Sequence, residues 1–151
     1  SGATGYDATG MMITAVPIEG VDIVWEDVTR VLKKSVETSS GKFEIEDLKS
    51  DLKNGVLVLW LVMEGRDVIA ALTSRVIEYP GRRAMALDWV GGSRMKEWMP
   101  SVLETLEKYA ADCGCKHIEG YGRKAWGKIL HRYGWRPEYI AYRMELNHGQ
   151  G

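Results

Sequence analysis

At 151 residues the chain has room for one ordinary domain with a core of its own. Hydrophobic residues at 45% and charged residues at 27% are the mix of a globular protein, and a net charge of -1 excludes a generally basic nucleic-acid binder while leaving a local patch open. No apolar run approaches the ~20 residues of a membrane-spanning helix, and two cysteines are too few for a disulfide framework, so a reducing, cytoplasmic setting is expected.

Residues 1–10 (SGATGYDATG) have neither the basic start nor the apolar stretch of a signal peptide. They read as a tag remnant or disordered segment ahead of a single domain over residues 11–146. Met12 to Val16 is a short first strand ended by Pro17. From Val21, the residues Val24, Trp25, Val28, Val31, Leu32 and Val36 recur at helical spacing with charged residues between them, an amphipathic helix that Ser39-Ser40-Gly41 breaks. A shorter helix carries Ile45, Leu48 and Leu52 on one side and stops at Asn54-Gly55.

Three strands of a meander follow: Val56 to Met63, Val68 to Ile77, and Arg83 to Val90. Glu64-Gly65-Arg66-Asp67 and Tyr79-Pro80-Gly81-Arg82 turn between them. Pro100 suits the first turn of a long helix that buries Val102, Leu103, Leu106, Tyr109 and Ala110 and closes at Asp112-Cys113-Gly114. Lys116 to Tyr121 is a strand candidate, and Ala125 to Tyr133 a compact helix stopped by Gly134. Tyr139 to Leu146 alternates as a last strand, with Ile140, Tyr142, Met144 and Leu146 on one side. Residues 147–151 form a flexible tail, in which His148 has no assigned role.

This order of elements gives an α+β domain and resembles the GNAT (Gcn5-related N-acetyltransferase) fold: a mixed, mostly antiparallel twisted sheet flanked by about four helices. The landmarks are the long helix running through Gly114 into Lys116-His117-Ile118-Glu119, and Gly134-Trp135 where the family has Gly-Phe. The resemblance implies that acetyl-CoA binds with its pyrophosphate at an R/Q-x-x-G-x-G/A loop before the long helix, where free amides and the helix dipole favour an anion. Counting back from Gly114 puts the Arg/Gln position at Arg94, and the two small positions at Glu97 and Met99. Those residues make acetyl-CoA a doubtful cofactor. A shifted loop of Val90, Gly91, Gly92, Ser93 and Arg94 is the alternative cofactor-binding segment.

The tyrosine that serves many family members as general acid corresponds to Leu130, and the common asparagine to Arg123. Asp88 and Glu119 are the candidate general bases, although a salt-bridged or solvated side chain is the favoured reading of each. His117 and His131 are weighed the same way. Cys113 and Cys115 form a lone C-x-C, which does not point to zinc, and no metal is expected.

The stretch from Lys116 to Arg143 is strongly basic, and the first half acidic. The basic end could meet an acidic protein surface, a phosphate or nucleic acid, or be a solvated helix face; nucleic acid is the less favoured partner. Of six tryptophans, Trp25, Trp60 and Trp89 belong to the expected core. Trp98, Trp126 and Trp135 are expected near the cofactor cleft, to fill it or to line a partner site, and a homo-oligomer is a further candidate. The Val90–Met95 loop and the Gly122-Arg123-x-x-Trp126 step resemble GNAT-like proteins of phages and prophages. That resemblance implies a binding or virion-associated role in the host cytoplasm or the virion. The alternative is an active acyl-CoA-dependent N-acyltransferase using the rearranged loop.

Overall fold

The computed structural model describes residues 4–6, 10–122 and 124–147, which fall into two compact units divided after Tyr121. In the first unit, strands β1 (Thr4–Tyr6) and β2 (Met12–Val16) are followed by a 3-10 turn (Ile18–Gly20) and helices α1 (Val21–Glu37) and α2 (Ile45–Lys53). Then come β3 (Val58–Glu64), β4 (Asp67–Glu78), β5 (Arg83–Leu87), β6 (Val90–Gly92), α3 (Met95–Asp112) and β7 (His117–Gly120). The sheet runs β1-β2-β3-β4-β5-β7, with β6 on β4; every pairing is antiparallel except β5 with β7. Among the described residues no helix is long and apolar enough to cross a membrane.

The core follows from the periodicities. Val21, Trp25, Val28, Leu32 and Val36 are the buried stripe of α1, and Leu48 and Leu52 that of α2. They pack with Leu59, Leu61 and Ala71, which alternation places on one face of β3 and β4. Helix α3 takes the opposite face. Trp60 stands edge-on to Tyr109 at 5.0 Å, and Trp98, Met99, Val102 and Leu106 are buried. The β3–β4 hairpin closes in the two residues between Glu64 and Asp67, with Gly65 at φ 60 as a type II′ turn requires.

β5 and β6 are one strand with a bulge. Arg75 faces Ala86 and Leu72 faces Val90, so Leu87, Asp88 and Trp89 span only Thr73 and Ser74 of β4. β7 runs alongside β5 alone, from Ala84 to Leu87; beyond the bulge β6 pairs with β4 alone among the described residues.

Residues 4–6 pair with β2; the rest of 1–9 lies outside the described residues, as do Arg123 and His148. Three expectations are corrected. Helix α3 starts at Met95, so Pro100 is inside it rather than in its first turn: Trp98 and Met99 bury best on a helical stripe, and that burial outweighs the hydrogen bond proline cannot give to Lys96. Trp98, expected near a cleft, is 1% exposed and belongs to the core. In the second unit helix α4 (Trp126–His131) forms, but residues 139–146 form no strand, since a strand exists only where an edge supplies its ladder.

Candidate functional site

The segment from Val90 to Arg94 is built by β6 and the cap of α3. Gly91 lies against α1: a Cβ there would stand 2.2 Å from the Val31 carbonyl oxygen. Gly92, at φ 129, would place a Cβ 2.4 Å from the Ile69 carbonyl oxygen. Both glycines therefore answer to packing, between α1 on one side and β4 on the other, which a sequence alone cannot distinguish from an anion nest. The Ser93 amide donates to the Ile69 carbonyl at 3.1 Å, and the Ser93 carbonyl accepts from Trp98 Nε1 at 2.7 Å. Each end of Ser93 is thus tied into the fold.

Arg94 caps α3 in the left-handed conformation, φ 58 and ψ 35. Its guanidinium is shared between two carboxylates. Nη1 and Nη2 meet both oxygens of Glu64 at 3.0 and 3.1 Å, while Nε and Nη2 meet those of Glu97 at 2.7 and 3.1 Å. The Glu97 hydrogen bonds, then those of Glu64, hold Arg94 charged well above the ordinary arginine range. The helix begins with Arg94 held between the carboxylates of Glu64 and Glu97, at the positive end of its dipole. Met99, at the other small position of the family loop, is buried.

Asp88 sits on the bulge and receives Arg75: Nε reaches Oδ2 at 2.5 Å and Nη2 reaches Oδ1 at 3.2 Å. The Asp88 side chain is 15% exposed. Its hydrogen bond is the main reason the Arg75 guanidinium is stabilised in its charged form, against the opposing effect of burial. Glu119 on β7 accepts from the Tyr79 hydroxyl at 2.8 and 3.0 Å and pairs with His117 Nε2 at 2.9 Å. Tyr79 also stacks on the His117 ring, centroids 6.4 Å apart and 16° from parallel. A carboxylate only accepts, so Nε2 carries the proton in this bond, and His117 Nδ1 is buried without a hydrogen-bond partner among the described residues.

Ladder register places these groups on one face. Arg75, Ala86 and Glu119 form a row across β4, β5 and β7, and His117 is opposite Ala84. The two candidate bases therefore share a sheet face, floored by the buried Ala84 and Ala86, and each is already engaged by donors from a neighbouring strand. Sequence reasoning found the carboxylates and missed Arg75 and Tyr79. Their signal was the period of two, since Arg75, Ile77 and Tyr79 alternate onto the face that carries His117 and Glu119. Leu130 and His131 are on α4 and at its end in the second unit; His131 is exposed.

The matches are to solved structures. No protein-family model matches the sequence, and no curated protein does. An aminoglycoside acetyltransferase from an uncultured soil metagenomic sample, solved with trehalose, superposes with a TM-score of 0.68 at 13% identity, covering 93% of this chain and 99% of its own. This chain has the GNAT acetyltransferase fold. A predicted acetyltransferase from Clostridium acetobutylicum, solved with acetyl-CoA, gives 0.64 at 16% identity over 93% and 99% of the two chains. Glucosamine-6-phosphate N-acetyltransferase from Arabidopsis thaliana gives 0.63 at 13% over 91% and 99%. At such identities the GNAT likeness is one of fold, and function rests on the residues described above.

Proposed function

We propose that this chain uses the GNAT fold for binding rather than for acyl transfer. The observation that carries the proposal is the Glu64–Arg94–Glu97 cluster at the start of α3. Where the fold would receive a pyrophosphate, the chain supplies carboxylates of its own, and the one guanidinium is engaged by both. An incoming polyphosphate would meet two carboxylates and would have to displace one of them from Arg94. A GNAT neighbour is solved with acetyl-CoA, yet the residues here do not fit the pyrophosphate of that group. The pairing of Asp88 with Arg75, and of Glu119 with Tyr79 and His117, also favours structural roles for the two carboxylates.

The partner surface proposed from the tryptophans narrows to Trp126 and Trp135, both half-buried, because Trp98 is core. Lys124, Lys128, Arg132 and Arg136 are exposed in the same unit, and they suit an acidic protein partner. A virion-associated or host-directed role, as the resemblance to phage and prophage proteins implies, is the setting of this proposal.

Titration calorimetry of the whole chain with acetyl-CoA tests it. No heat and no thermal shift at roughly millimolar ligand is the expected result. Binding of about micromolar strength that disappears in Arg94→Glu would overturn the proposal in favour of an acyltransferase.

A further inference from the structure

One corner of the sheet is left uncovered by α3. Val58, Ser74, Val76 and Met85 share the α3 face: Val58 is opposite Ser74, Val76 is opposite Met85, and both pairs keep the period of Trp60, which meets Tyr109. Beside them the chain bends away. Val56 and Leu57 give their amides to the Asp51 carbonyl, at 2.9 and 3.3 Å, so β3 pairs with β4 only from Val58 onward. The bend leaves a cavity of about 210 Å³ between Gly55-Val56 and Arg75-Val76, which Tyr109 of α3 lines from above. Val56 and Val76 at its rim are 54% and 44% exposed, whereas Ser74 and Met85 are fully buried.

The lining is apolar and uncharged, with one hydrogen bond left to make. Val56, Val58, Val76, Met85 and the Tyr109 ring supply the walls. Arg75 contributes backbone, because its guanidinium is bound to Asp88 on the opposite face. Burial above all, with Cys113 beside it, pushes the Tyr109 hydroxyl above its ordinary value of 10.0, so it stays neutral. Ser74 Oγ accepts from Trp60 Nε1 at 2.9 Å, and a hydroxyl that accepts still has its own proton to give. Among the described residues no acceptor takes that proton. A fully buried donor at the floor of an apolar cavity sets the one polar requirement on what enters.

We infer that this cavity binds a small uncharged molecule, an apolar body the size of a single six-membered ring with one hydrogen-bond acceptor directed at the Ser74 hydroxyl. Size sets the ring: an apolar cavity of roughly 150 Å³ holds a benzene-sized molecule, so about 210 Å³ admits a ring and one polar substituent. Charge is excluded, since no lining side chain balances an ion taken out of water. The site is on the opposite sheet face from Asp88 and Glu119 and shares no residue with the Glu64–Arg94–Glu97 cluster. It therefore stands apart from the binding role proposed above.

Titration of the whole chain with cyclohexanone, followed by NMR of isotope-labelled methyl groups, tests the site. Saturable shifts of the Val56, Val58, Val76 and Met85 methyl resonances are expected, with a Kd at or below about 1 mM. Toluene, of the same size but without an acceptor, should bind about tenfold more weakly, and cyclohexanecarboxylate should not bind. Ser74→Ala should bring the ketone and toluene to equal affinity. That ratio is read within one protein, so a loss of stability does not enter it. Val58→Phe and, at the exposed rim, Val76→Phe each put a ring into the cavity and should abolish cyclohexanone binding while distant methyl resonances stay in place. No saturable shift at these residues overturns the inference, as does equal affinity for ketone and toluene in the parent chain. So does a ketone preference that survives Ser74→Ala, a carboxylate that binds as tightly as the ketone, or cyclohexanone binding retained in both ring variants.

Discussion

The carbonyl oxygen of Val31 in α1 stands 2.2 Å from the point where a Cβ on Gly91 would lie, so β6 and the helix meet with no room for a side chain. A methyl group there must push backbone, because the Val31 carbonyl belongs to the helix ladder and cannot swing aside. Gly91→Ala is therefore expected to destabilise the fold by about 1–3 kcal/mol. Thermal denaturation should show a loss of several degrees, and Gly81→Ala, where a Cβ meets nothing within 4 Å, should be close to neutral. An unchanged melting temperature in Gly91→Ala would return the glycine pair to the status of a ligand loop.

Trp60 and Ser74 make a second buried contact with a measurable consequence. Both are fully buried, and Trp60 Nε1 donates to Ser74 Oγ at 2.9 Å between neighbouring strands. Removing the hydroxyl leaves an indole N–H in the core with no acceptor, which costs about 1–3 kcal/mol. Ser74→Ala should lower stability in denaturant titration by that amount. Adding Trp60→Phe removes the orphaned donor, so the double variant should fall short of the sum of the singles. Strict additivity would mean that the bond contributes nothing.

The parts of this fold that the sequence made readable are those where burial imposes a period. The stripe from Val21 to Val36 and the hairpin around Gly65 follow from spacing and turn chemistry alone. The start of α3 did not. Pro100 is a good first-turn residue by local preference, and only the burial of Trp98 and Met99 explains why the helix reaches back to Met95. Residues 139–146 alternate as a strand would and form none, because side-chain alternation does not supply the backbone partners a ladder needs. At the candidate site Asp88 and Glu119 could be picked out as carboxylates. Their partners, Arg75 thirteen residues from Asp88 and Tyr79 forty from Glu119, depend on ladder register.

The link between α1 and α2 gives a pH dependence. Asp22 accepts from Lys53 Nζ at 2.8 Å and lies 3.5 Å from Lys49 Nζ. The Lys53 hydrogen bond above all, with the charge of Lys53 and Lys49 behind it, holds the Asp22 carboxyl below its ordinary value of 3.8. A depressed folded value contributes stability above the unfolded value, and that contribution fades as pH falls through the folded one. Asp22→Asn should therefore be slightly less stable than the parent at neutral pH, with the gap closing below about pH 4. Urea titrations across that range check it; a gap that does not change with pH would assign the loss to something other than ionisation.

Arg94 offers the most direct test of why this GNAT-fold chain would refuse a polyphosphate. Its partners Glu64 and Glu97 are 46% and 44% exposed at the side chain, so removing their charge is expected to disturb stability little. The effect on anions should be larger, because Glu64→Gln/Glu97→Gln removes both of the carboxylate charges that Arg94 meets at the N-terminus of α3. Two surface charges at contact distance are worth about 1 kcal/mol each in water-like surroundings, which corresponds to roughly tenfold or more in affinity. Titration with inorganic pyrophosphate should show the double variant binding at least that much tighter than the parent, with the gain shrinking as salt is raised. Equal affinity in the two proteins would mean that the carboxylates are not what keeps the anion out, and would move attention to the buried Met99 and the packed Gly91 as the obstacles.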